Sequence, residues 1–169
     1  MRGIFAFEDD IRTIDVRPLL SVKQYLPEDV QKALPIMIKE YKSPSVKDGT
    51  PKIRLRGMLE RAAAYEKYLD TYSSGAGSDV VRDYYQEILR IAITGGYNAD
   101  LGMPNVYMND NETKVSDEVI DVYNNFVTAH KGTKTSKIVY RYVNLLKKTD
   151  GKITKRINTF YEDLYRMIK

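Results

Sequence analysis

Residues 53–96 read IRLRGMLERAAAYEKYLDTYSSGAGSDVVRDYYQEILRIAITGG, and this stretch decides the fold class. Leu55, Leu59, Ala62, Tyr65, Leu69 and Tyr72 recur at three- and four-residue spacing, the repeat of one helix face. Arg61-Ala62-Ala63-Ala64 adds high intrinsic helix propensity. The spacing predicts a helix over 53–72, stopped by Ser73-Ser74-Gly75-Ala76-Gly77. Ser78 reads as the cap of the next helix, with Asp79 in its first turn. Val81, Tyr84, Tyr85, Ile88 and Ile91 form that helix's inner face, and Gly95-Gly96 ends it.

Working outward, the flanks are helical too. Leu26-Pro27-Glu28-Asp29 is a helix start, with Val30, Leu34, Met37 and Tyr41 as its stripe. Pro35 inside that stripe predicts a kink or split. Residues 47–51 read as a loop. Ser116 caps a fourth helix that begins Asp117-Glu118, carries Ile120, Tyr123, Val127 and His130 on one face, and stops at Gly132. Residues 135–148 and 152–168 make two further helices around the turn Thr149-Asp150-Gly151. The expectation is a mostly α protein: about six helices in one compact domain over 27–169.

Two segments break the pattern. Residues 1–26 read as an extended arm or small hairpin: Ile4, Phe5 and Phe7 form a short apolar run, Ile14 and Val16 alternate with polar residues, and Arg17 precedes Pro18. A hairpin that small is marginal alone and must pack on something. Residues 95–115 read as a loop of unusual length, which in a compact domain is functional or disordered. Its apolar Leu101, Met103, Val106 and Tyr107 favour a surface to cover over disorder, so they join Ile4, Phe5 and Phe7 as expected partner-interface residues. Tyr25 and Tyr97 are interface candidates for the same reason.

Composition closes off several chemistries. The 169 residues contain no cysteine, which excludes disulfides, thiolate catalysis, iron–sulfur clusters and cysteine zinc sites. One histidine excludes a multi-histidine metal site. The opening MRGIFAFEDD lacks a secretory apolar core, and no run nears the ~18 apolar residues of a spanning helix. A cytoplasmic chain with no membrane partner is therefore expected.

The remaining chemical candidates each have a plainer reading. His130 suits the end of a helix dipole better than a triad. Gly75-Ala76-Gly77-Ser78 could cradle an anion, but a helix precedes it and Val80 stands where a dinucleotide fingerprint needs glycine; a flexible turn with a serine cap is favoured. The acids from Asp110 to Glu118 fail both EF-hand registers. Asp79, Asp83 and Glu87 line one helix face that also carries Arg82 and Arg90, the mark of a solvated face. No catalytic residue, cofactor or metal site is expected, and no enzyme.

Charge distribution is the strongest signal. Residues 131–169 hold eleven basic residues against three acids, a net +8, whereas residues 98–124 are net −5. Lys137, Arg141, Lys148, Lys152, Lys155 and Arg156 lie mostly off the apolar stripes of the last two helices, so they are the expected contacts for an anionic partner. Such a hairpin also permits a helix-turn-helix unit. The helical body, arm, long loop and opposed charges resemble, in layout, a head-to-tail connector subunit of a tailed phage. The expectation is a structural protein, homo-oligomeric within a larger assembly, cytoplasmic during assembly and then in the virion. The alternative is a small basic nucleic-acid-binding protein using 134–169.

Overall fold

The computed structural model describes residues 15–96, 105–109, 111 and 113–168. It is mostly helical, as the periodicity requires. A 3₁₀ segment, Arg17–Tyr25, leads into α1 (Glu28–Lys42), a two-stranded hairpin β1 (Val46–Lys47) and β2 (Thr50–Pro51), then α2 (Leu55–Thr71) and α3 (Ala76–Thr94). After the long connection come α4 (Asp117–Ala129), α5 (Lys134–Lys148) and α6 (Lys155–Ile168).

Helix α3 is the centre. It packs against α1, α2, α5, α6 and the small hairpin. The reason is in its own sequence: Ile88, Leu89, Ile91, Ala92 and Ile93 are all buried, so its C-terminal half has apolar groups most of the way round and must be enclosed. Helix α2 covers one side with Met58, Leu59, Ala62 and Tyr65, and α1 another with Ala33, Leu34 and Met37. The inner rows of α5 (Ile138, Val139, Tyr142, Leu146) and α6 (Ile157, Phe160, Leu164, Ile168) complete the core.

Three local expectations need correction. Helix α1 runs through Pro35 unbroken. Pro35 is exposed, so solvent can satisfy the Gln31 carbonyl that loses its usual donor. Residues 47–51 are a tight hairpin rather than a loop: Lys47 pairs with Thr50 around Asp48-Gly49, both at positive φ, the two-residue turn whose twist matches paired strands. Residues 17–25 are 3₁₀ rather than extended. Pro18 sits in the first turn, where it has no amide hydrogen to lose, and Val16 precedes it in helical geometry. Val16 is buried and Leu19 packs on the core, so the described part of the arm is anchored to this chain.

Candidate functional site

The basic end is built on α5. Thr133 caps it, its hydroxyl accepting from the Ser136 amide at 3.0 Å. A second cap comes from α2: the buried Glu66 carboxylate accepts from the Lys134 amide at 2.5 Å, the Thr135 amide at 2.8 Å and the Thr135 hydroxyl at 2.5 Å. A negative charge there meets the positive end of the helix dipole. Tyr85 shares a hydrogen bond with Thr135 at 3.1 Å, and burial pushes its phenol up to about 12. With the inner row locked in this way, Lys137, Arg141 and Lys148 project outward and are exposed. Lys134 is used internally, its Nζ donating to the Ile168 carbonyl at 3.2 Å.

The α5–α6 turn places Asp150 and Gly151 at positive φ, and the Gly151 amide donates back to the Leu146 carbonyl at 2.8 Å. Beyond it Lys152, Lys155 and Arg156 are exposed. Among the described residues, no ion pair involves any of the six expected anion contacts. The outer side of α6 differs from that of α5, because it mixes charges: Arg166 pairs with Asp163 at 3.3 Å, beside exposed Glu162.

The long connection behaves differently from expectation over its described part. Tyr107 is only 8% exposed, and its hydroxyl reaches the Met58 sulfur at 3.6 Å. It belongs to this chain's own core and is not a surface contact. Asn105 holds it there by accepting from the Tyr107 amide at 2.8 Å. Met108 bridges to Val115, and the Asn109 side chain accepts from the Thr113 and Lys114 amides. Val106 remains on the surface at 51% exposure. Leu101, Met103 and Tyr97 lie outside the described residues, as do Ile4, Phe5 and Phe7. Tyr107 joins a phenol cluster with Tyr123 and Tyr142, whose rings meet edge-on at 5.5 Å. Tyr123 donates to the Ala92 carbonyl at 2.6 Å, and Tyr142 shares a hydrogen bond with Tyr161 at 2.8 Å. Burial holds Tyr107, Tyr123 and Tyr142 far above the usual phenol range.

No family model, curated protein or solved structure matches this chain. Its surfaces must be read on their own chemistry.

The glycine-rich turn before α3 does receive an anion, from the chain itself. The Asp29 carboxylate of α1 accepts from the Gly77 amide at 2.9 Å. Gly75 sits at φ +114°, and a Cβ on Gly77 would lie 2.7 Å from the Asp29 backbone. These glycines therefore admit α1 rather than an external phosphate. Ser78 is not the cap: it is buried, and its hydroxyl donates to the Ser74 carbonyl.

The other candidates are also placed. His130 stacks on Phe126 and meets Glu60 at 3.1 Å on the surface. Glu40 is a buried carboxylate not anticipated from sequence. It is held by Arg61, Ser45 and Tyr65, which occupy it as a structural tie between α1 and α2. Asp83, Gln86, Glu87 and Arg90 of α3 line an open cleft of about 440 Å³ with Tyr165 and Ile168 of α6. Among the described residues no group of three His, Asp or Glu could hold a metal, and no helix is long and apolar enough to cross a membrane.

The 3₁₀ segment carries three of the six exposed large hydrophobics among the described residues. It has no buried residue. Val22 and Tyr25 continue the row of Leu19 at the three-residue spacing of such a helix, and both are exposed, Tyr25 at 79%. Leu20 beside them is exposed as well. Arg17 braces the start of the segment, lying over the Tyr41 ring at 4.9 Å and pairing with Asp15.

Proposed function

We propose that this chain is a non-enzymatic subunit of a larger protein assembly, built from several copies of itself. A virion component such as a tailed-phage head-to-tail connector subunit is the specific form proposed, assembled in the cytoplasm. The observation that carries the reading is the apolar group Leu20, Val22 and Tyr25, standing open on a short element with no fully buried residue. Apolar groups clustered on a surface and rimmed by polar ones mark sites of association. Lys23, Gln24 and Ser21 supply that polar rim. Tyrosine suits such a site, since its ring buries while its hydroxyl finds a partner.

The native mass of the full chain tests this. A defined multimer is expected. Changing Leu20, Val22 and Tyr25 together to serine should leave the helical circular dichroism intact and reduce the mass to that of one chain. A monomeric parent chain, or a triple variant that assembles like the parent, would overturn the reading.

A further inference from the structure

We propose that the outer face of α5, continued around the α5–α6 turn, is a seat for the phosphate backbone of duplex nucleic acid. Helix α5 carries five basic residues and no acid. Lys137, Arg141 and Lys148 are spaced i, i+4, i+11. At 3.6 residues per turn these fall within about 40° of one another and span about 16 Å of helix axis. That length covers about five phosphates of one strand at 3.4 Å per step. Lys152, Lys155 and Arg156 follow Lys148 within eight residues, across the turn, and are exposed as well. Gly151 holds that turn against the body, its carbonyl accepting from the Val115 amide at 2.9 Å. The cations are thus mounted on a fixed frame: apolar packing behind α5, the Glu66 cap at its start, the anchored turn at its end.

The chemistry discriminates between anionic partners. Protein interfaces are depleted of lysine at their cores and enriched in aromatic and apolar groups. This set has four lysines and two arginines and no apolar member. A single strand is gripped by aromatic platforms along a groove. Here the one exposed aromatic of α5, Tyr140, lies to the side of the row. Lysine is a point charge without arginine's planar fork, so a lysine-dominated row holds phosphates and reads no bases. Binding independent of sequence follows. The face is distinct from the apolar 3₁₀ row, which packs through α1, whereas α5 packs on α2, α3, α4 and α6. The two readings therefore fail separately.

The test is fluorescence anisotropy of a labelled mixed-sequence DNA duplex with the full chain across a salt series. Six phosphate contacts predict a log–log slope near −5, or about three decades of affinity between 50 and 200 mM salt. Lys137→Gln, Arg141→Gln and Lys148→Gln together should flatten the slope by about three, whatever the duplex sequence. The separate pair Lys152→Gln and Lys155→Gln should flatten it by about two. Arg166→Gln, on the mixed-charge side of α6, should leave it unchanged. No duplex binding at the lowest salt, an unchanged slope in both multiple variants, or capture of polyglutamate in preference to DNA would each overturn the proposal.

Discussion

Helices α4 and α3 both begin on an oxygen that accepts from their first-turn amides, but the oxygens come from different distances along the chain. In α4 the cap is local: Ser116 accepts from the Val119 amide at 3.3 Å, with Asp117 and Glu118 immediately after it. In α3 the cap is Asp29, 48 positions before the Gly77 amide that it receives. Helix α5 uses both sources, Thr133 from beside it and Glu66 from 68 and 69 positions away. A local cap can form as soon as its own helix does. A distant cap exists only once two helices have docked, so it binds the fold together and fails as a unit.

The largest effect should come from Glu66→Ala. It leaves the buried Thr135 amide and the part-buried Lys134 amide without their acceptor, while the Thr135 hydroxyl keeps Tyr85 as a partner. Each unsatisfied buried group costs about 1–3 kcal/mol, so with two amides orphaned a loss of at least about 2 kcal/mol is expected in urea unfolding. A loss below about 1 kcal/mol would make Thr133 the sufficient cap and erase the distinction.

Glycine to alanine should change sign between α3 and α2. Alanine gains up to about 1 kcal/mol over glycine inside a helix. At Gly77 the new methyl would lie 2.7 Å from the backbone of Asp29, and backbone cannot step aside as a side-chain tip can. The expected balance for Gly77→Ala is a loss of about 2 kcal/mol, since overpacking costs about 1–3 kcal/mol. At Gly57 the nearest atom is Ile53 Cδ1 at 3.4 Å, so Gly57→Ala should stabilise by up to about 1 kcal/mol. Thermal melts of the two variants side by side would show it, and matching signs would contradict the close approach of α1.

The smallest effect should be that of Ser116→Ala, at about 1 kcal/mol, the usual cost of losing one local cap. Native-state hydrogen exchange should place this loss in the first turn of α4, whereas Glu66→Ala should weaken protection across both α2 and α5. A global loss from Ser116→Ala would sink the claim that its role is local.

The same division separates what could be read along the chain from what could not. Ser116 as a cap, Gly95 as a left-handed stop at φ +63°, and the inner rows of α2, α3, α5 and α6 depend on neighbours within a turn or two, and periodicity exposes them. The hairpin at Asp48-Gly49 was not legible as such: the dipeptide marks a turn, but strands of two residues each are too short to show a period of their own. Tyr107 was not legible either. An aromatic in an irregular segment looks the same whether it faces a partner or its own core, and only the arrival of Met58 and Tyr123 beside it decides. At Gly75 and Gly77 the sequence favoured a turn over a phosphate cradle, but did not identify the anion that the turn receives. Both roles need an amide with open space in front of it, and which anion fills that space is set by where α1 docks.

By itself the sequence determined the helical class, the helix starts and stops that rest on local chemistry, and an α5 with cations on one side and apolar groups on the other. Tertiary structure alone decided which carboxylates become caps and which tyrosines are buried. The physical reason is range. Propensity, periodicity and local capping act over a few residues, while burial and long-range hydrogen bonds depend on which surfaces meet after the helices have formed.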